Sequence, residues 1–208
     1  TNGSVAWSTT QHSGDITDWY SEVISLDEAG QPAQAMFQGD WRALVRHEEV
    51  VEIAGVAPLG SVERTEVWPR WTTEDGRWIA EVEGEAVSGP DAEVDAGTSV
   101  VNVSGSWIVP MDMNGDGVVS AISFDFTGLD PANLFQQFED FGSARNVAEF
   151  HEATRLGQAL SQNLVAADVN GDVYYSGYEM VPCRGYLPRD ASGRWLDGAN
   201  PTMLLDGT

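Results

Sequence analysis

Residues 2–25 read NGSVAWSTTQHSGDITDWYSEVIS and residues 37–55 read FQGDWRALVRHEEVVEIAG. Asn2-Gly3 is a turn signal, and Val5-Ala6-Trp7 opens a strand. A D-x-x-D step at Asp15 and Asp18 follows, then YSEVISL over residues 20–26. Gly39 to Arg42 forms a G-x-W-R turn, and residues 43–53 run ALVRHEEVVEI with partial period-two alternation. Working outward, VERTEVWPRW continues the β pattern, and Glu74-Asp75-Gly76 reads as a hairpin turn before RWIAEVEG. The pattern from Val5 to about Trp107 is therefore β. Residues 84–98, rich in Gly, Ser, Asp and Pro, read as a loop.

A helix pair follows, over residues 130–161. Asp130 is an N-cap candidate, and Pro131 suits the first helical position. Leu134, Phe135, Phe138 and Phe141 recur on one helical face, and Gly142 ends the run. Asn146 with Glu149 has capping-box spacing. The inner face of that second helix reads Val147, Phe150, Ala153 or Thr154, Gly157 and Leu160. Residues 163–208 then hold a hairpin, centred on Asn170-Gly171, and a tail. Strands, a helix pair and a hairpin predict an α+β chain with an antiparallel sheet, residues 1–208 being one domain or a fragment of one.

The net charge is −23, and all ten basic residues are arginine. Such a surface repels phosphate backbones and anionic lipid, which argues against nucleic-acid and membrane partners. No apolar run reaches the roughly 20 residues of a membrane helix, and no secretory signal stands at Thr1. The single Cys183 cannot form an internal disulfide. As a catalytic thiol it would need His12, His47 or His151 beside it; as a small packed side chain it needs nothing.

Self-contained catalytic motifs are missing: no G-x-S-x-G, no complete H-E-x-x-H, no C-x-x-C and no glycine-rich phosphate loop. Two loops resemble calcium loops in part. Asp112, Asn114, Asp116 and Gly117 match the first half of an EF-hand loop, but Ser123 stands where a bidentate glutamate is needed. Asp168, Asn170 and Asp172 have Glu179 at the twelfth position but Val173 at the glycine position. Flanking strands favour plain hairpin turns in both. Asp15-Ile-Thr17-Asp18, taken alone, is a turn with solvated acids.

The order of features over residues 2–55 resembles the β-subunit core of the penicillin acylase family, self-processed amidases whose nucleophile is an N-terminal serine. The hairpin at Ala167, Asp168, Gly171 and Tyr174, the V-P-x-R from Val181 to Arg184, and Gly142 to Phe150 extend the resemblance over most of the chain. It is weakest between Val67 and Asp130, where the family's R-H-G-P segment is missing and an NGDG loop stands instead.

The resemblance implies part of an Ntn-hydrolase αββα sandwich, with the serine upstream of this chain. It assigns the Gln11 backbone N–H to the oxyanion hole, where the family usually has a small residue, and places the second donor, an asparagine, beyond Thr208. It puts Phe138 near the acyl pocket, although a core position suits it equally. It makes Asp15 and Asp18 carboxylate ligands of a structural calcium, Thr17 a carbonyl ligand, and a position near Gly185 another. The remaining calcium ligands come from the α-chain and the rest of the β-chain, which are the implied partners. The implied activity is hydrolysis of linear amides, such as penicillin side-chain, acyl-homoserine-lactone or lipopeptide amides, in the periplasm or outside the cell. This chain alone would be inactive, and Thr1 lies at a mid-chain position of the family, away from the nucleophile. Two other readings are a non-catalytic, calcium-stabilised binding or structural module of the same fold, and an acidic secreted β-rich domain with dockerin-like calcium loops.

Overall fold

The computed structural model describes residues 1–55, 63–95, 97–129, 133–157, 161–177 and 179–208. In chain order the strands are β1 (Val5–Gln11), β2 (Thr17–Leu26), β3 (Pro32–Phe37), β4 (Asp40–Ala43), β5 (Val45–Ile53), β6 (Arg64–Thr72), β7 (Trp78–Val82), β8 (Gly84–Ala86), β9 (Val101–Val103), β10 (Ser106–Pro110), β11 (Val118–Phe126), β12 (Gln162–Asp168), β13 (Val173–Ser176) and β14 (Leu205–Asp206). Two helices, α1 (Leu134–Ser143) and α2 (Val147–Thr154), follow a 3₁₀ turn at Thr127–Leu129. This is an α+β chain dominated by antiparallel pairing, as the sequence predicts; β14, which runs parallel to β2, departs from the pattern. No described helix is long and apolar enough to cross a membrane. The chain forms two compact units, Thr1–Asp18 with Phe126–Tyr186, and Trp19–Asp125 with Leu187–Thr208.

In the first unit β1, β12 and β13 form an antiparallel sheet in that order. The Asn170-Gly171 signal is borne out: Gly171 has φ +92° at the turn between β12 and β13. Alternation sorts the side chains. Val5, Leu164 and Ala166 are buried with Phe141, Ala144, Phe150 and Ala153 of the helical segment. The Phe141 and Phe150 rings stack at 4.2 Å, and Trp7 packs 6.0 Å from Phe150. The opposite face, with Ser8, Thr10, Val165, Val173 and Tyr175, is exposed.

The helix pair is present with shifted details. Helix α1 is capped by Asn133, whose Oδ1 accepts from the Gln136 N–H at 3.1 Å. Asp130, Pro131 and Leu160 lie outside the described residues. The buried face of α1 is Gln137 and Phe141, while Phe135 is 92% exposed and Phe138 is exposed too. The predicted aromatic stripe is thus corrected. Gln137 turns inward, and its amide donates to the Ala153 and Thr154 carbonyls at 3.3 and 3.0 Å, beside the Leu156 and Gly157 N–H groups that those carbonyls also accept. Gly142 lies within the helix, which ends on Ala144. The Asn146 cap holds, with Oδ1 accepting from Glu149 N–H at 2.9 Å, but the Glu149 carboxylate returns to the Arg145 N–H.

In the second unit an eight-stranded sheet runs β4-β3-β2-β11-β7-β6-β5 with β14 beside β2, and a three-stranded sheet runs β8-β10-β9. Ile24, Trp71, Ile79, Val82, Val101, Val103, Val119 and Ala121 form its core. The Glu74-Asp75-Gly76 turn forms as expected, with Gly76 at φ +93°. Two features differ from the sequence reading. Residues 84–86 of the predicted loop are strand β8, paired to β10. The strand β11 lies beyond the Trp107 boundary and sits centrally in the large sheet; its VVSAISFDF alternates buried and partly exposed side chains along most of its length.

Candidate active site

Gln11 ends β1, which is an edge strand because, among the described residues, the sheet order places only β12 beside it. The Val169 N–H donates to the Ser4 carbonyl at 3.0 Å, and the His12 N–H donates to the Ser161 carbonyl at 2.9 Å. In an antiparallel pair hydrogen-bonded and non-hydrogen-bonded positions alternate. Residues 4 and 12 are hydrogen-bonded positions, so Gln11, facing Gln162, is a non-hydrogen-bonded one. Its N–H therefore points away from β12, to the open edge. At the other end of the same row, Val5 N–H finds the Asn2 side chain at 2.9 Å.

A polar cluster gathers immediately past Gln11. The Glu179 Oε2 atom lies 3.1 Å from His12 Nδ1 and accepts from the Ser161 hydroxyl at 2.7 Å. Ser161 Oγ also lies against the His12 carbonyl and accepts the Gly14 N–H at 2.9 Å. A β-carbon on Gly14 would stand 1.8 Å from Glu179 Oε2, so glycine is what lets the carboxylate approach. Burial alone would raise the Glu179 pKa, but the Ser161 and His12 hydrogen bonds and the His12 charge together hold it below the ordinary 4.5. On the exposed face nearby, Asn163 Nδ2 donates to the Gln11 carbonyl at 3.3 Å, and Tyr175 OH donates to Asn163 Oδ1 at 2.7 Å. Sequence reasoning missed this cluster: His12 and Glu179 are 167 residues apart. The available signal was the hairpin itself, since strands that pair β1 to β12 and β12 to β13 return the chain to the end of β1.

Asp15 and Asp18 do come together, but around a guanidinium. Arg184 Nε lies 2.9 and 3.1 Å from the two Asp18 oxygens, and Nη2 lies 3.0 Å from Asp15 Oδ1. Nη2 also donates to the Asp15 carbonyl at 3.2 Å. Asp18 is 2% exposed, so Arg184 supplies the positive charge that a buried carboxylate needs. A calcium ion needs six to eight oxygen ligands, and this donor set, arranged around Arg184, does not fit one. Thr17 opens β2, and Gly185 is exposed directly after Arg184. Among the described residues no group of three or more His, Cys, Asp or Glu side chains is arranged to hold a metal.

The two calcium-like loops turn their carboxylates onto their own backbone. Asp112 accepts the Gly115 and Gly117 N–H groups at 2.8 Å each. Asp168 accepts the Asn170 and Asp172 N–H groups through Oδ1, and the Val147 N–H at 3.1 Å through Oδ2. The Val147 bond leads in holding the Asp168 carboxyl below its ordinary value. Phe138 stands edge-on to Phe141 at 6.3 Å with more than half its surface open. Cys183 is exposed.

A thermostable penicillin G acylase from Alcaligenes faecalis has a similar fold, at a TM-score of 0.51 and 19% identity over 100% of this chain. The chain spans 28% of that protein's chain. No curated protein sequence matches it. The family model for penicillin amidase matches residues 1–208, and the chain belongs to the penicillin amidase family.

Proposed function

We propose that this chain is part of the β-subunit core of an N-terminal-nucleophile amidohydrolase that cleaves linear amides. The serine that attacks the amide carbonyl lies in the upstream segment, and its α-amine serves as base. Gln11 offers its backbone N–H to the oxyanion, with an asparagine from the downstream chain as second donor. The observation that supports this reading is the open-edge N–H of Gln11, which β12 leaves unused. The sheet β1-β12-β13, with helices on one face and an exposed face opposite, supplies one half of an αββα sandwich. The exposed face receives the second sheet from the rest of the protein. Exposed Phe138 faces the acyl group, and the α-chain and remaining β-chain complete the enzyme in the periplasm or outside the cell. A structural calcium enters this reading only if Arg184 leaves Asp15 and Asp18 and further ligands come from those partners.

The test uses the amide N–H alone. Proline is tolerated where an edge-strand N–H faces outward, so Gln11→Pro leaves the fold in place but removes the donor. In the processed parent protein, hydrolysis of a chromogenic arylacetyl amide falls about 10²- to 10³-fold in Gln11→Pro. In Gln11→Ala it stays near wild type. Full activity in a folded Gln11→Pro protein would sink the assignment.

A further inference from the structure

In the second unit a cavity of about 360 Å³ lies between the β3–β4 hairpin and the β6–β7 turn. Gln38 and Gly39 take positive φ and turn β3 back into β4, which sets Arg42 opposite Ala35 and Asp40 opposite Phe37. Opposed residues of an antiparallel pair share a face, and so do alternate residues of one strand. Arg42 and Phe37 therefore stand on the cavity side of the hairpin, with the small, buried Ala35 between them. Across the cavity the Glu74-Asp75-Gly76 turn brings in two exposed carboxylates. Asp75 is fixed in place, since its Oδ1 accepts from the Thr73 hydroxyl and, at 3.2 Å, from Arg77 Nε. Arg77 is committed to Glu22, Asp75 and the Gly207 carbonyl. Arg42 is not. Its Nη2 lies 3.5 Å from Asp40 and its Nε 4.0 Å from Glu74, both longer than the roughly 2.7–2.9 Å of a charge-assisted hydrogen bond.

These charges select a class of ligand. A plain anion would meet Glu74, Asp75 and the field of a chain with net charge −23, and a plain cation would meet Arg42. A ligand carrying both charges satisfies both sides. Arg42 and Glu74 are 4.0 Å apart, so the ligand's two charges must also be close, as an ammonium and a carboxylate on one carbon are. Ala35 and Phe37 add the apolar lining that a small-molecule site uses. We propose that this cavity binds a free α-amino acid with an apolar side chain. Its carboxylate bonds Arg42, its ammonium bonds Glu74 and Asp75, and its side chain lies on Phe37. The site does not rest on the amidohydrolase reading, because binding needs neither the serine nor the Gln11 amide.

The experiment titrates the full-length protein calorimetrically with L-phenylalanine, with hydrocinnamate, which lacks the ammonium, and with phenethylamine, which lacks the carboxylate. Phenylalanine should bind about 10-fold tighter than either. Arg42→Ala, at an unchanged melting temperature, should weaken phenylalanine about 10-fold without weakening phenethylamine. Glu74→Gln should weaken phenylalanine without weakening hydrocinnamate. Arg46→Ala, which removes an exposed arginine of β5 away from the cavity lining, should leave all three unchanged. Phenylalanine that fails to bind at millimolar concentration, or binds indifferently to both Arg42→Ala and Glu74→Gln, would overturn the proposal. Hydrocinnamate or phenethylamine binding as tightly as phenylalanine would overturn it too. The Gln11→Pro result is independent: loss of the amide assignment with phenylalanine binding intact leaves this site standing.

Discussion

Two glutamates in this molecule are each bonded to a serine hydroxyl and a basic side chain, yet their carboxyl groups shift in opposite directions. Glu179, in the first unit, is held below its ordinary pKa. Glu22, in the second, is 0% exposed and pushed above 4.5, chiefly by burial, although Ser123 donates to it and Arg77 Nη1 lies 2.9 Å away. Asp75 and Asp206 add repulsion at Glu22, and its Oε2 has no hydrogen-bond partner among the described residues. Arg77 is also shared, with Asp75 at 3.2 Å and the Gly207 carbonyl at 3.4 Å. The difference teaches that similar partners do not settle the state of a carboxylate. Desolvation does, once the partners are divided and one oxygen is left bare.

The strongest way to break the comparison is to remove the cation from the buried side. Arg77→Met leaves Glu22 inside the sheet without its charge partner, and denaturant unfolding should show a loss of about 3–5 kcal/mol. The loss should shrink in acid, where Glu22 is protonated. A loss of the same size at all pH values would mean that packing, not charge, is what Arg77 contributes.

Gly14→Ala acts on the other side. Its β-carbon would displace the Glu179 carboxylate from Ser161 and His12, an overpacking effect of about 1–3 kcal/mol. In the same variant the His12 imidazole should lose its hydrogen bond to Glu179, read by NMR as a shift of its ring nitrogens. A neutral Gly14→Ala with an unmoved imidazole would show that Glu179 has room to spare.

The smallest effects carry the sign. The Glu22 pKa is raised by folding, so its stabilising contribution is full below 4.5 and is lost as pH rises toward the folded value. The Glu179 pKa is lowered, so its contribution is present above 4.5 and is lost as pH falls toward the folded value. Glu22→Gln should therefore flatten a decline in stability on the alkaline side of 4.5. Glu179→Gln should flatten a decline on the acid side. Parallel pH–stability curves for the two variants would sink the distinction.

Much of the local structure was legible in the sequence because its causes are local. Gly171, after Asn170, takes the positive φ that the hairpin turn requires. Asn146 caps a helix with its own side chain three residues away, and the EDG turn closes β6 onto β7. The candidate site was legible only in part. Gln11 could be placed by resemblance, but the direction of its N–H depends on which rungs of the β1–β12 ladder carry hydrogen bonds, and a shift of one residue would reverse it.

The sequence by itself determined the β-rich start, the helix pair, the hairpin and the family, since turns, caps and short-range motifs are written in neighbouring residues. Tertiary structure alone decided the rest. Phe138 faces out and Gln137 faces in, where the buried Gln137 amide finds the Ala153 and Thr154 carbonyls at the end of α2. Arg184 lies between Asp15 and Asp18, and Glu179 orients His12, because strand register returns distant segments to one place. No local pattern encodes such encounters, for the free energy that selects them is that of burying and pairing charges across the fold.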